Sequence, residues 1–158
     1  MLKQSVYLAS PFFSDEQIAR VKKVKALLEA NPTIDSDNIY QPMQHQNEQF
    51  EFGSTEWKRA TFQADLRQVD NSDVVVLIMD YKVEEGSYEP DSGTIMELGY
   101  AFAHNTPIII AQFDENDAPL NLMVAEAYTA YFWKEDVAEL ATYDFNTLEY
   151  VPTKRTVF

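Results

Sequence analysis

The feature that most constrains the fold of this chain is an unbroken run of six apolar residues, Val74–Met79, of which four are β-branched. A membrane-spanning helix needs about 20 apolar residues, so the run is far too short to cross a bilayer. A short, β-branched run is typical of a strand buried on both faces at the centre of a parallel sheet. Pro107–Gln112 repeats the pattern. The sequence therefore predicts a sheet with at least two central strands.

Strand and helix patterns alternate along the rest of the chain. Further strands are predicted at Gln4–Ala9, Asn38–Pro42 and Tyr128–Trp133. Helices are predicted over about Asp15–Ala30, opened by a capping box in which Gln17 follows Ser14, and through Trp57 to about Val69, capped by Ser54 or Thr55. Further helices are predicted over Thr94–Asn105, Asn121–Ala127 and Lys134–Leu140. Loops are predicted for the polar segment Gln44–Phe52 and for the acidic, glycine- and proline-containing segment Tyr81–Ser92. This order indicates a single α/β domain over residues 1–158, with a doubly wound, mainly parallel five-stranded sheet.

The composition narrows the range of partners. Twelve basic residues against 26 acidic ones give a formal net charge of −14. Such a surface repels nucleic acid polymers and disfavours multiply phosphorylated ligands. With only four glycines, the chain also has no glycine-rich phosphate loop. We therefore expect a neutral or weakly charged small molecule as ligand, and neither a nucleic acid nor a membrane as partner.

Metal and thiol chemistry find little support in the sequence. The chain has no cysteine, which excludes disulfides, thiolate sites and a cysteine nucleophile. Its two histidines, His45 and His104, lie in a loop and at a helix end, and we expect neither a metal site nor an organic cofactor. No Gly-x-Ser-x-Gly motif indicates a serine hydrolase. The N-terminal residues show no signal-peptide pattern, so a cytoplasmic location is expected.

Glu97 is the most conspicuous candidate for chemistry. It is the one charged residue in Ile95–Ala103, a helical segment that is apolar on nearly every side. Such a helix is normally buried, and a buried carboxylate is costly without a partner or a ligand. One interpretation is a glutamate on a narrow exposed stripe or in a buried ion pair. The other is a nucleophile held ionised in a dry pocket.

Three further polar residues have two interpretations each. Tyr7 is predicted to end the first strand, either as a core residue or as a phenol that orients a carboxylate. Asp91 precedes Ser92-Gly93 and is either a helix cap or a ligand-binding acid. Asp65 lies late in the second helix, on a solvated face or in a site. The aromatic residues near the predicted pocket either pack in the core or stack on a planar heterocycle: Phe12, Phe13, Phe50, Phe52 and Trp57.

Taken in order, several segments resemble the nucleoside 2-deoxyribosyltransferases, particularly those of lactic-acid bacteria, along essentially the whole chain. The matching segments are Val6–Phe13, Asn31–Asp35, Trp57 through Ala64-Asp65-Leu66, Asp91–Ala101, Asn121-Leu122-Met123 and the aromatic C-terminal residue. The resemblance implies a flavodoxin-like fold, a homohexamer built from dimers, and no metal or organic cofactor. One departure is Phe158, since relatives often end in tyrosine and this chain lacks that phenolic hydroxyl.

The resemblance also implies roles for individual residues. It places the nucleophile on Glu97, the tyrosine that orients it on Tyr7, and the acid near the base on Asp65. A sugar-hydroxyl acid falls on Asp91 and a base-contacting glutamine on Gln46. Asn121 is implied to reach a neighbouring subunit's sugar site, and the remaining implied substrate contacts are Met123, Phe12, Phe13, Trp57 and Phe158.

The resemblance and the residues together predict an enzyme that transfers 2-deoxyribose between purine or pyrimidine bases through a covalent intermediate on Glu97. The first alternative is a deoxynucleoside 5′-monophosphate N-glycosidase, although an aspartate at position 91 would repel a phosphate. The second is a nucleoside-binding regulator without catalytic activity, which would need no buried nucleophile.

Overall fold

A computed structural model describes the backbone of residues 1–84 and 87–158 and the side chains of residues 1–81 and 88–158. The strands are β1 (Gln4–Ala9), β2 (Ile34–Tyr40), β3 (Val74–Ile78), β4 (Tyr81–Glu84), β5 (Ser87–Pro90), β6 (Ile108–Gln112) and β7 (Ala130–Trp133). The helices are α1 (Asp15–Ala30), α2 (Thr55–Asn71), α3 (Ser92–Ala103) and α4 (Leu122–Ala125), with 3-10 segments at Pro42–Gln44 and Lys134–Ala141.

Five of the strands form one sheet in the order β2-β1-β3-β6-β7, and every neighbouring pair is parallel. The two apolar runs of the sequence, β3 and β6, are inner strands and are buried at every position. Their β-branched side chains fit this place because helices cover both faces of a doubly wound sheet. The predicted α/β fold with a parallel five-stranded sheet is confirmed.

Alternate residues of each strand enter different cores, as the two-residue period of a strand requires. Val6 and Val76 face α1 and the second 3-10 segment. Tyr7, Val75 and Leu77 face the opposite layer, which contains α2, α3 and α4. Tyr7 was expected to end β1, but two strand residues follow it. Because side chains alternate along the strand, that of Tyr7 enters the layer between the sheet and α3, where it is fully buried.

Serine caps begin the two long helices where the sequence predicts. The hydroxyl of Ser14 accepts a hydrogen bond from the backbone N–H of Gln17, and that of Ser54 accepts one from Trp57. Each bond satisfies an N–H group that has no partner within the helix. α1 begins and ends at the predicted residues. Among the described residues, no helix has the length and apolar content that a membrane crossing demands.

Two predictions for irregular segments need correction. β2 begins at Ile34 rather than at Asn38, because this edge strand pairs with β1 through its backbone while its middle residues remain exposed. The segment predicted as the loop Tyr81–Ser92 contains the antiparallel pair β4–β5. The backbone N–H of Asp91 donates to the carbonyl oxygen of Asp80, closing the base of this hairpin at 3.1 Å. Residues 85 and 86 lie outside the described residues.

Candidate active site

The centre of the candidate site is a contact between β1 and α3. The hydroxyl of Tyr7 donates a hydrogen bond to Oε1 of Glu97 at 2.5 Å. Glu97 lies in the second turn of α3, and its side chain is partly buried. Tyr7 is thus both a core residue and the partner of this carboxylate, so its two interpretations hold together.

Burial raises the pKa of Glu97 to about 7. The hydrogen bond from Tyr7 opposes this rise because it stabilises the ionised form, whereas the negative charges of Asp65 and Asp91 add to it. Among the described side chains, none forms an ion pair with Glu97. The carboxylate is therefore held by a neutral donor and retains its affinity for a positively charged centre.

A second acid, Asp65 of α2, lies near the first. Its Oδ1 accepts a hydrogen bond from the hydroxyl of Tyr40 at 3.4 Å. Burial raises the pKa of Asp65 to about 6, and the bond from Tyr40 partly counteracts this. Asp65 is partly buried, so the solvated-face interpretation does not describe it.

Sequence reasoning missed Tyr40. Its ring stacks on Tyr7 with centroids 5.5 Å apart, and His45 stacks on its other side at 4.4 Å. The residue ends β2 and is paired in register with Tyr7. The sequence holds no direct signal for it, because the register of β2 against β1 that brings it beside Tyr7 is visible only in the structure. Tyr40 thus connects the acid of α2 to the tyrosine that holds Glu97.

Asp91 is the N-cap of α3. Its Oδ2 accepts hydrogen bonds from the backbone N–H of Thr94 at 2.9 Å and from the Thr94 hydroxyl at 2.8 Å. The capping interpretation is therefore correct. Both bonds use the same carboxylate oxygen, and among the described residues no hydrogen bond involves Oδ1. A role of Asp91 toward a sugar hydroxyl stays a prediction.

The residues predicted to face the base lie on two loops and in the first turn of α2. The indole N–H of Trp57 donates to the carbonyl oxygen of Gln46 at 2.7 Å, and the side-chain amide of Gln46 donates to Pro42 at 2.6 Å. Gln46 and Tyr40 border a cavity of about 620 Å³ beside α2. On the loop after β1, the rings of Phe12 and Phe13 pack against each other with centroids 5.1 Å apart.

Phe13 is 74% exposed and Phe52, which packs on Trp57 at 4.5 Å, is 80% exposed. Core packing therefore does not account for these two rings. Phe50 is also exposed, at the edge of the same loop. Exposed flat rings are suited to stacking on a planar heterocycle.

Asn121, Met123 and Phe158 form a separate group. The side-chain oxygen of Asn121 caps α4 by accepting from the backbone N–H of Met123 at 2.9 Å. The backbone of Phe158 pairs with Leu120 and Leu122 on either side of Asn121. All three side chains are exposed, and among the described residues no hydrogen bond joins them to Tyr7, Asp65 or Glu97.

A separate cleft of about 740 Å³ lies between α1 and the loop after β6. It contains an ion pair between Arg20 and Asp80 at 2.6 Å and none of the predicted site residues. Neither residue was singled out from the sequence. We place the site at Tyr7 and Glu97 rather than in this larger cleft because the buried acid of the cleft, Asp80, is paired with Arg20, whereas Glu97 is held by a neutral phenol.

Comparison with known proteins decides the family. The family described as nucleoside 2-deoxyribosyltransferase matches residues 6–141. The chain belongs to the nucleoside 2-deoxyribosyltransferase family. It is therefore a transferase, and the predicted family and enzyme class are confirmed.

Individual members of the family are similar over most of the chain. A nucleoside deoxyribosyltransferase of Limosilactobacillus fermentum is 35% identical, over 89% of this chain and 86% of its own length. One from Lactobacillus johnsonii is 33% identical, over 88% and 93% respectively. The solved structure of the 2-deoxyribosyltransferase of Bacillus psychrosaccharolyticus superposes with a TM-score of 0.78 at 31% identity, covering 94% of this chain and 98% of that one.

The part of the chain that the structure describes has no group of three histidine, aspartate or glutamate side chains arranged to hold a metal ion. The site contains two carboxyl groups, those of Glu97 and Asp65, and two tyrosine hydroxyls, those of Tyr7 and Tyr40. These groups suit general acid and nucleophilic catalysis by side chains.

Proposed function

We propose that the enzyme moves 2-deoxyribose from a 2′-deoxynucleoside to a second nucleobase by double displacement, with Glu97 as nucleophile. The observation that carries the proposal is the hydrogen bond between Tyr7 and Glu97 in a family of deoxyribosyltransferases. A carboxylate with a neutral phenol as its donor is positioned but not neutralised. Such a group can attack an anomeric carbon as positive charge develops there.

In the first step, Oε2 or Oε1 of Glu97 forms a bond to C1′ while the bond between C1′ and the base nitrogen breaks. The bonding electrons leave with the base, which takes up a proton from Asp65. A pKa of about 6 suits this acid, because the group gives up its proton easily near neutral pH. The product is a deoxyribosyl ester of Glu97.

In the second step, a nitrogen of the incoming base attacks C1′, the ester bond breaks, and Glu97 is released as a carboxylate. The proton that the incoming base loses returns to Asp65. Two inversions give overall retention of configuration. We propose that purines and pyrimidines both act as acceptors, between the ring of Phe13 and the loop that bears Gln46.

We further propose that the 158-residue domain acts as a homohexamer built from dimers, in which Asn121 and Met123 complete the site of a neighbour. The support is twofold. These side chains are exposed and make no hydrogen bond to the Glu97 cluster of their own chain. The outer surface of α2 and α3 also exposes Phe62, Met96 and Phe102, a suitable apolar interface for a chain that carries a charge of −14.

The test is to incubate the protein with thymidine and adenine and to follow products by chromatography. We expect deoxyadenosine from the wild type and from Glu29→Ala, a control at an exposed glutamate of α1. We expect several orders of magnitude less from Glu97→Ala. Rapid acid quenching followed by peptide mass analysis should find deoxyribose on the peptide that contains Glu97.

Two results would contradict the proposal. Free deoxyribose without any deoxyadenosine would assign a hydrolase instead. A folded Glu97→Ala protein that retains a tenth of the transfer rate would remove Glu97 from the mechanism.

A further inference from the structure

Arg155 is a buried arginine that lies only three residues before the C-terminus, with 6% of its surface exposed. Two nitrogens of its guanidinium group donate to one backbone carbonyl: Nε donates to the oxygen of Ala118 at 3.1 Å, and Nη2 donates to the same oxygen. Nη1 donates to Oε1 of Gln112 at 3.1 Å and to the hydroxyl of Tyr81. The contacts therefore join the C-terminal tail to the loop before α4 and to the sheet.

This cation has no acidic partner among the described side chains, although the chain carries 26 acidic residues. Burial of a guanidinium group without a carboxylate is costly, so its neutral partners must compensate through several charge-assisted hydrogen bonds. Arginine has a fixed planar set of donors, and such a set fixes the direction of each acceptor. The arrangement restricts where the carbonyl of Ala118 can lie.

The segment that Arg155 restrains is the one that bears the predicted sugar contacts. The backbone N–H of Leu120 donates to Thr156 at 2.7 Å, and that of Phe158 donates back to Leu120 at 3.1 Å. The N–H of Leu122 then donates to Phe158 at 3.0 Å. These bonds bracket Asn121 on both sides. Arg155, Asn121 and Phe158 together border a cavity of about 300 Å³.

We propose that Arg155 is a positioning residue for substrate binding. It holds the loop at Ala118 and the C-terminal tail against the end of β6, so that Asn121 and Phe158 form one wall of a sugar site. The inference rests on the proposed function for the identity of the substrate. It adds a residue that lies outside the segments by which the chain resembles its family.

The test separates binding from catalysis. In the Glu97→Ala background, which cannot turn over, calorimetry measures the Kd and stoichiometry for deoxyadenosine. We expect Arg155→Met to weaken binding about tenfold, the change that about 1.4 kcal/mol produces. The Kd of Arg155→Lys should lie between those of the parent and of Arg155→Met, because lysine keeps the charge but lacks the planar set of donors. Lys154→Met is the matched control, since this neighbouring cation is exposed and pairs with Asp136.

With Glu97 present, Arg155→Met should raise the KM for the deoxynucleoside about tenfold and change kcat far less, because uniform binding is lost. A purely structural role would lower the stoichiometry or kcat with Kd and KM unchanged, and that result would overturn the proposal. If Arg155→Met does not fold, Tyr81→Phe is the substitute, because it removes one acceptor of the same guanidinium group. It should also raise the Kd for deoxyadenosine, and an unchanged Kd in Tyr81→Phe would overturn the proposal as well.

These measurements distinguish the two proposals. A wild type that binds deoxyadenosine but transfers nothing would refute the proposed function, while the Kd comparison would still decide the role of Arg155. A protein that does not bind deoxyadenosine at all would refute both.

Discussion

The hydroxyl of Tyr7 and the carboxylate of Glu97, 90 positions apart in the sequence, are joined by a hydrogen bond of 2.5 Å. Burial, followed by the negative charges of Glu97 and Asp65, raises the pKa of Tyr7 far above its ordinary value of 10.0. Tyr7 therefore stays protonated and acts as a donor at neutral pH. Its contribution is to set the orientation and the pKa of Glu97.

Tyr7→Phe should therefore move the pH dependence of the reaction. The hydroxyl stabilises the ionised form of Glu97, so its loss raises the pKa of that carboxyl further above about 7. A hydrogen bond to a charged group contributes about 1.5 kcal/mol, which corresponds to a shift of about one pH unit. Because Asp65, with a pKa of about 6, must stay protonated, we expect the limb of kcat/KM that falls above about pH 7 to move up by that amount and the maximum to drop about tenfold. Tyr100→Phe, which removes an exposed hydroxyl bound to Asp70, should leave the limb unchanged; an equal shift in both variants would contradict the assignment.

The two acids should give a bell-shaped profile. Glu97 must be ionised to attack and Asp65 must be protonated to assist the leaving base, so only the form with both states together is active. Because the pKa of Glu97, about 7, lies above that of Asp65, about 6, kcat/KM rises up to about pH 6 and falls above about pH 7. The maximum of kcat/KM is expected between these values. Asp65→Asn should abolish the descending limb and lower kcat by about 10²- to 10⁴-fold. Its control is Asp70→Asn on the same helix, and a descending limb that persists in Asp65→Asn would assign the acid elsewhere.

Glu97 should also destabilise the folded protein above neutral pH. Its folded pKa of about 7 lies above the ordinary value of 4.5, so folding becomes less favourable as pH rises from about 4.5 through 7. Glu97→Gln has no charge to bury and should be more stable than the wild type at pH 8, by on the order of 2 to 3 kcal/mol. The difference should nearly vanish at pH 5. Urea unfolding at fixed protein concentration measures this, and a variant less stable at pH 8 would show that burial of Glu97 is not the dominant effect.

A shared site predicts complementation between inactive subunits. Glu97→Ala lacks the nucleophile and Asn121→Ala lacks the proposed contact to a neighbour's sugar. After subunit exchange, mixed oligomers contain some sites with both groups intact, and transfer activity should recover to a measurable fraction of the wild-type rate. Size-exclusion chromatography should show an oligomer. Mass-labelled subunits should first demonstrate that exchange has occurred. If activity then does not recover, or if a monomer is fully active, Asn121 acts only in its own chain.

The inner parts of the fold were predictable because burial leaves a direct trace in the sequence. The apolar run that begins at Val74 and the capping serine before α1 each specify one structure. The edge strand β2 was harder to place because its exposed residues, such as Asp37, show no alternation of apolar and polar side chains. The hairpin of β4 and β5 was missed because each of its strands has only four residues, too few for an alternating pattern to identify a strand in the sequence.

The candidate site shows the same division. Glu97 stands out because a charge in an apolar helix is costly and therefore conspicuous. Tyr40 and Arg155 do not stand out, since each matters through a partner distant in the sequence, Asp65 in one case and Ala118 in the other. Finding them requires the strand register and the course of the C-terminal tail, which a single sequence does not contain.

The hydrogen bond from Asp91 to Asp80 has a consequence for how this family can vary. The chain leaves β3 and enters α3 at two residues that are already joined, so the hairpin between them is an appendix whose length does not change the path on either side. Insertions and deletions at the tip should leave α3, which carries Glu97, in place. The length of the hairpin can therefore change, in evolution or by engineering, without displacing the contact between Tyr7 and Glu97.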